Sequence, residues 1–210
     1  MKTFKEFQEQ VIKEMAIAGK GRWLADVALE YQLFDAFISN YKLIKSGIQV
    51  QKRTEKFDLY KLISSANTIY KLGYRQTVKN EDNFIIVASI ELEEELDILD
   101  YKNVWNVNWI KVANAFQNTG IAKQLYRYFV EDLHMTLQGD MTQYFGARLV
   151  WSKLSKIATI NVDIVDIHDK QILEKDVIVH QGKDDGDFDQ RVWFYGKDKM
   201  HIRLFMTHIT

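Results

Sequence analysis

Val104 to Leu133 reads VWNVNWIKVANAFQNTGIAKQLYRYFVEDL, and the fold turns on this stretch. Its first part is β-branched and aromatic, contains no glycine and ends Trp109-Ile110-Lys111-Val112, which predicts a strand. In its last part Ile121, Leu125, Phe129 and Leu133 recur at four-residue steps, which predicts a helix. Between them lies Gln117-Asn118-Thr119-Gly120-Ile121-Ala122. The first N–H groups of a helix have no partners within it, and its dipole is positive at that end. Small residues let a ligand approach those groups, so the loop suits an anion, phosphate above all. A glycine at such a turn also has a purely steric use.

Outward from this centre the pattern changes twice. Upstream, Thr3 and Glu6 have capping-box spacing, and Phe4, Phe7, Val11, Ile12 and Met15 predict a helix ending at Gly19-Lys20-Gly21. Leu24, Val27, Ala28, Tyr31, Phe34 and Ile38 predict a second helix from Arg22, its apolar stripe serving the core. Lys42 to Lys56 is basic and reads first as a solvated face. Phe57–Ile63, Thr68–Tyr74 and Phe84–Leu92 then predict an antiparallel meander, with Glu93-Glu94-Glu95 turning into Leu96–Asp100. Downstream, Met135–Leu137 is a short strand, Thr142–Leu154 a helix and Ile160–Val165 a strand. Ile172–Val179, Arg191–Tyr195 and Met200–Ile209 are further strands, with His168-Asp169-Lys170 a turn and His180–Asp189 a polar loop. The fold class is α+β, a mixed, mostly antiparallel sheet flanked by helices. It forms one domain over 1–210, with a helical N-terminal part (1–55) and the sheet in 56–210.

Composition narrows the functional classes. With 210 residues, 47% hydrophobic and 13% aromatic, the chain can bury one sizeable core. Lys plus Arg is 28 and Asp plus Glu is 29, a balance that points to neither nucleic acid nor an anionic membrane. Cysteine is absent, which excludes disulfides, thiolate metal sites and a cysteine nucleophile, and proline is absent too. No apolar run is long enough to span a bilayer and the opening MKTFKEFQEQ is polar, so a cytoplasmic protein without a signal peptide is expected.

Gln117-x-x-Gly120-x-Ala122, after a strand and before a helix, resembles the pyrophosphate loop of the GNAT superfamily of acyl-CoA N-acyltransferases. Ile110-x-Val112 sits where that family has its apolar strand end. Thr142–Leu154, ending Trp151-Ser-Lys-Leu154, resembles its next helix. The likeness covers roughly the second half of the chain. It extends in general look to acetyltransferase-like proteins of tailed phages, which would place the chain in a host cytoplasm. The chain departs from the family in opening with helices, where a strand is usual; Tyr41–Gln51 could be that strand in extended form.

The resemblance implies acetyl transfer from acetyl-CoA to an amine. Backbone donors from Asn118, Thr119, Gly120, Ile121 and Ala122 would hold the pyrophosphate, Gln117 would fix the loop, and the basic run Lys42–Lys56, where it is not simply solvated, would bind the acceptor or the 3′-phosphate of CoA. Val112, Ala113 and Asn114 would pair with the pantetheine arm, and an N–H near Val112 would meet the thioester oxyanion. The amine needs a base or an ordered water. Glu91, at the end of an apolar strand, is the candidate from a pool that includes Glu93, Glu94, Glu95, Asp97 and Asp100. Asn106 and Asn108 alternate with Trp105, Val107 and Trp109, so one strand face is polar; it lines the acceptor cleft, orients water, or is simply solvated. The family's acid, a tyrosine, is replaced by Trp151, leaving Tyr144 as the candidate. Asp184, Asp185, Asp187 and Asp189 lack EF-hand spacing, and His134, His168, His180, His201 and His208 form no ligand pair, so no metal is expected. The competing reading is a catalytically weak or inactive interaction protein of the same fold, a phage-type adaptor or inhibitor bound to a host protein. The acceptor is open between small molecule and protein, and the oligomeric state between monomer and homodimer.

Overall fold

The structure, a computed structural model, describes residues 30–50, 52–62, 68–78, 80–139, 145–179 and 201–209. In chain order the elements are β1 (Glu30–Leu33), α1 (Phe34–Ile38), β2 (Tyr41–Gln49), β3 (Lys56–Leu62), β4 (Thr68–Val78), β5 (Glu81–Glu94) and β6 (Val104–Val112). A 3-10 turn (Asn114–Phe116) precedes α2 (Ile121–Arg127), which continues as a π-helical turn over Tyr128–Asp132. β7 (Thr136–Gly139), α3 (Phe145–Leu154), β8 (Ile160–Asp166), β9 (Gln171–Glu174) and β10 (Ile202–His208) complete the described chain. The fold is α+β, as expected. One sheet runs β2-β3-β4-β5-β6-β7-β10-β8-β9, with β1 added to β5 off this row. Every pairing is antiparallel except β6 with β7.

The two faces have different fates. Leu72, Ile90, Leu92, Val107, Leu137, Val162 and Met206 point to one side and meet Ile121, Leu125, Phe129, Trp151 and Leu154 from α2 and α3 in a single apolar core. The opposite face carries two smaller clusters. Phe34 and Phe37 of α1 stack on Tyr41, Tyr60 and Phe84, and Tyr101 packs with Val104, Val165 and Phe205. The strip between these clusters is polar.

Several expectations need correction. The helix read through Ile38 gives way at Glu30–Leu33 to a strand, because these residues pair with Asn83–Ile86 and Glu30 meets Lys71 at 3.2 Å. Only Phe34–Ile38 is helical, and Tyr41–Gln49 is extended, so 1–55 is not helical throughout its described part. The predicted first helix and residues up to 29 lie outside the described residues. β5 runs on through Glu94, and Leu96–Asp100 forms a loop closed by an Ile98–Tyr101 bridge, with Leu96 89% exposed. The Ile172–Val179 strand stops at Glu174; Val177 and Val179 are buried by a turn whose Val177 N–H bonds Val162 O. Thr142–Tyr144 and the predicted elements between His180 and Tyr195 lie outside the described residues.

Candidate functional site

β6 divides where it passes its middle. Val104, Trp105, Asn106 and Val107 pair with Thr136, Leu137, Gln138 and Gly139 of β7, and Gly139 is the last described residue of that strand. β6 continues along β5 to Val112 opposite Ala88, with no second neighbour among the described residues. The pairing with β5 shifts register at this point: Leu92 opposes Val107 and Glu91 opposes Trp109, leaving Asn108 as an extra residue. A bulge bends its strand and raises local twist, which is what parting from a neighbour requires. The result is a fork between β6 and β7. Ala113 donates its N–H to Val87 O, so strand alternation turns the Ile110 and Val112 N–H groups to the other side, into the fork. Ala113 also accepts from Phe116 N–H and is 2% exposed.

The loop at the mouth of the fork is tightly tied. Phe116 is buried edge-on against Phe57 at 6.0 Å. Gln117 donates through Nε2 to Val112 O at 3.3 Å and Asn114 Oδ1 at 2.9 Å, and the Thr119 hydroxyl donates to Phe116 O at 2.5 Å. Asn118 (φ 58°) and Gly120 (φ 92°) adopt left-handed backbone, so glycine is required at 120 for its conformation. Space is not the reason: a Cβ there would meet only Val50 Cγ1 at 3.9 Å. The N–H groups of Ile121, Ala122 and Lys123 find no acceptor at hydrogen-bond geometry among the described residues.

The polar strip of β6 is a connected network. Asn106 Nδ2 donates to Asn108 Oδ1 at 2.7 Å, and Asn108 Nδ2 donates to Glu91 Oε1 at 3.1 Å and Glu93 Oε2 at 3.2 Å. The Trp109 indole N–H donates to Glu91 Oε2 at 2.8 Å. The bulge explains this arrangement: two consecutive residues, Asn108 and Trp109, face one glutamate, each supplying a donor to one carboxylate oxygen. Asn106 Oδ1 is buried and unpartnered. The structure thus joins two of the sequence-predicted catalytic residues, Glu91 and Asn108. The third, Tyr144, lies outside the described residues.

Trp151 is fully buried, edge-on to Tyr126 at 6.2 Å, and is a core residue. Burial pushes the Tyr126 hydroxyl above the usual tyrosine range, so it keeps its proton near neutral pH. Sequence reasoning missed Trp109 as a partner of Glu91, since a bulge leaves no signature in composition. It placed Lys52 and Arg53 only within the basic run Lys42–Lys56, and the fold brings both to the loop. Lys52 Nζ donates to Asn118 O at 3.3 Å, and Arg53 donates to Ala115 O while lying 4.2 Å from the Phe116 ring centre.

Among the described residues no group of three His, Asp or Glu is placed to hold a metal ion, and no helix is long and apolar enough to cross a membrane. The Asp184–Asp189 cluster lies outside the described residues. Comparison of the chain with protein-family models, with curated proteins and with solved structures finds no match.

Proposed function

We propose that the protein is an acetyl-CoA-dependent N-acetyltransferase of GNAT-like fold, acting on an amine. The observation that carries this reading is the fork between β6 and β7 with the Gln117–Ala122 loop at its mouth. Supporting it are the strand–loop–helix–parallel strand order and the insertion of β10 between β7 and β8. The free edge of β6 offers the pantetheine amides strand-like partners at Ile110 and Val112. The same N–H groups would stabilise negative charge on the thioester oxygen as the amine attacks. Glu91 would take the proton of the ammonium, directly or through water, and its two donors fix the carboxylate's orientation. The amine nitrogen then bonds the acetyl carbon, the C–S bond breaks, the nitrogen gives its second proton to solvent, and the thiolate takes one from solvent.

Titration with acetyl-CoA by calorimetry, beside a Gly120→Glu variant, tests this. Micromolar binding lost in the variant supports it, because the glutamate brings a negative charge and a strained left-handed conformation to the phosphate position. A folded wild-type chain that binds no acetyl-CoA refutes it.

The second reading, an interaction protein of the same fold, draws on two features. Trp151 at the acid's position is locked in the core, and only residues 63–67 separate β3 from β4, too few for the pair of helices that builds the family's acceptor site.

A further inference from the structure

Leu96, in the loop between β5 and β6, is 89% exposed, well beyond any other large apolar side chain among the described residues. Its loop is nevertheless firmly braced. Ile98 and Tyr101 exchange backbone hydrogen bonds at 3.3 and 2.9 Å, Glu95 N–H donates to Val104 O at 2.8 Å, and Asn103 N–H donates to Asp97 Oδ1 at 3.0 Å. The Tyr101 hydroxyl donates to the buried Asp163 at 2.6 Å, and Ile98 packs against the cluster of Tyr101, Val104, Val165 and Phe205. Leu99, at the tip, holds left-handed backbone (φ 53°), which a bulky side chain adopts at a cost, and it too is exposed. Two leucines are thus held out on a fixed support, which lowers the ordering cost of a contact.

Charge decides what such a contact accepts. Glu93, Glu94, Glu95, Asp97 and Asp100 are exposed around the leucines, and Lys102 answers one of them, 3.4 Å from Asp97. Such a rim repels anions and favours a cationic surface with an apolar centre. The chain itself carries one. β2 ends the row of the sheet, so its outer edge has no neighbour among the described residues. Lys42, Lys45, Lys52 and Lys56 are exposed on the β2–β3 hairpin, and Leu43, between the first two, is 48% exposed. The acids of the hairpin are engaged within it: Glu55 lies 3.8 Å from Arg53, and Asp58 accepts the Gly47 N–H at 3.0 Å. Lysines on an edge strand repel the same strand of another copy, but they suit an acidic loop. Within one chain no ion pair joins loop to hairpin among the described residues.

We propose that the loop between β5 and β6 of one copy docks on the β2 edge of a second copy, with Leu96 against Leu43 and the loop carboxylates against Lys42 and its neighbours. The two patches are different, so the contact is heterologous. Each copy in a pair keeps one loop or one edge unused, and association continues head to tail unless a ring closes. The contact needs no acyl carrier and stands apart from the acetyltransferase reading.

The test is sedimentation velocity of the full chain over a concentration series. The wild type is expected to associate as concentration rises. It should return toward monomer when salt is raised from about 0.1 M to about 1 M, which shortens the screening length from about 10 Å to about 3 Å. The loop variant is Leu96→Ser, and the edge variant combines Lys42→Glu with Leu43→Ser. All three positions are exposed, and matching melting temperatures confirm that the variants fold. Leu96→Ser is expected to weaken association about tenfold or more, the scale of one buried leucine. The decisive sample is the mixture. Each variant alone stays monomeric where the wild type associates, and the two together form a heterodimer, because the edge variant supplies an intact loop and the loop variant an intact edge. A wild type that is monomeric even at about 1 mM, where a contact contributes only about 4 kcal/mol, overturns the proposal. So do variants that associate as the wild type does, and so does a mixture of two monomeric variants that fails to pair.

Discussion

The two halves of β6 are built from similar residues and behave differently. Val104–Val107 is held on both sides, by β5 and β7, and Val104 is fully buried. Among the described residues Asn108–Val112 is held by β5 alone, and none of its side chains is fully buried. The closed half joins the antiparallel β2–β5 to the β7–β10 group, and the open half keeps them apart. One extra residue, Asn108, marks the boundary. The lesson is that a local irregularity in pairing, and not a change of composition, marks where β6 loses its second neighbour among the described residues.

The comparison can be strained in order of expected effect. A second register shift lies between Leu72 and Gly73, and it has no slack: a Cβ on Gly73 would fall 2.2 Å from Ile85 O and 2.7 Å from the Phe84 ring. Gly73→Ala should therefore cost about 3 kcal/mol or more in urea unfolding. A neutral result would show that the antiparallel half yields as readily as the fork. In the closed half of β6, Val104→Ala should cost about 2 kcal/mol. In the open half, Lys111→Ala, at an exposed position, should stay within about 0.5 kcal/mol. Equal costs would erase the distinction between the halves. At the boundary, Trp109→Phe keeps the ring and removes the indole donor to Glu91, an expected loss of about 1 kcal/mol.

The smallest effect is in pH. Glu131, in the π-helical turn, is pushed up by burial, but hydrogen bonds from Thr159 and Arg127 and the Arg127 charge outweigh this, and its carboxyl titrates below the usual glutamate range. A lowered folded-state value means that its contribution is full above the unfolded-state pKa and disappears as pH falls through the folded one. Glu131→Gln should flatten the acid side of the stability profile, and Trp109→Phe should leave that slope unchanged. An unaltered acid side in Glu131→Gln would remove Glu131 from the ties between the helix and the segment entering β8.

Much of this was legible in the chain. β3, β4, β5, β6, β7, β8 and β10 fall where alternation and β-branched runs placed them, and α2 follows its four-residue apolar step. The Gly120 turn and the polar face that carries Asn106 and Asn108 could be read because they follow from period and from glycine's conformational range; the contact of Asn108 with Glu91 could not. The failures share a physical cause. Glu30–Leu33 has helical spacing, and the vacant edge of β5 overrides it. Trp109 should alternate away from Asn108, and the bulge brings both to Glu91. Lys52 and Arg53 lie more than sixty residues from the loop they touch, a closure no local pattern encodes.

The shared edge of β5 has a consequence for dynamics. β1 occupies Asn83–Ile86 and β6 takes over at Ala88, so a four-residue strand holds the place from which β6 has withdrawn. So short a strand opens locally at far lower free energy than the strands that flank it. In native-state hydrogen exchange the amides of Glu30–Leu33 should therefore exchange through local opening, while those of Val104–Val107 wait for the whole domain to unfold. β1 is thus a short strand whose opening need not carry the rest of the sheet with it.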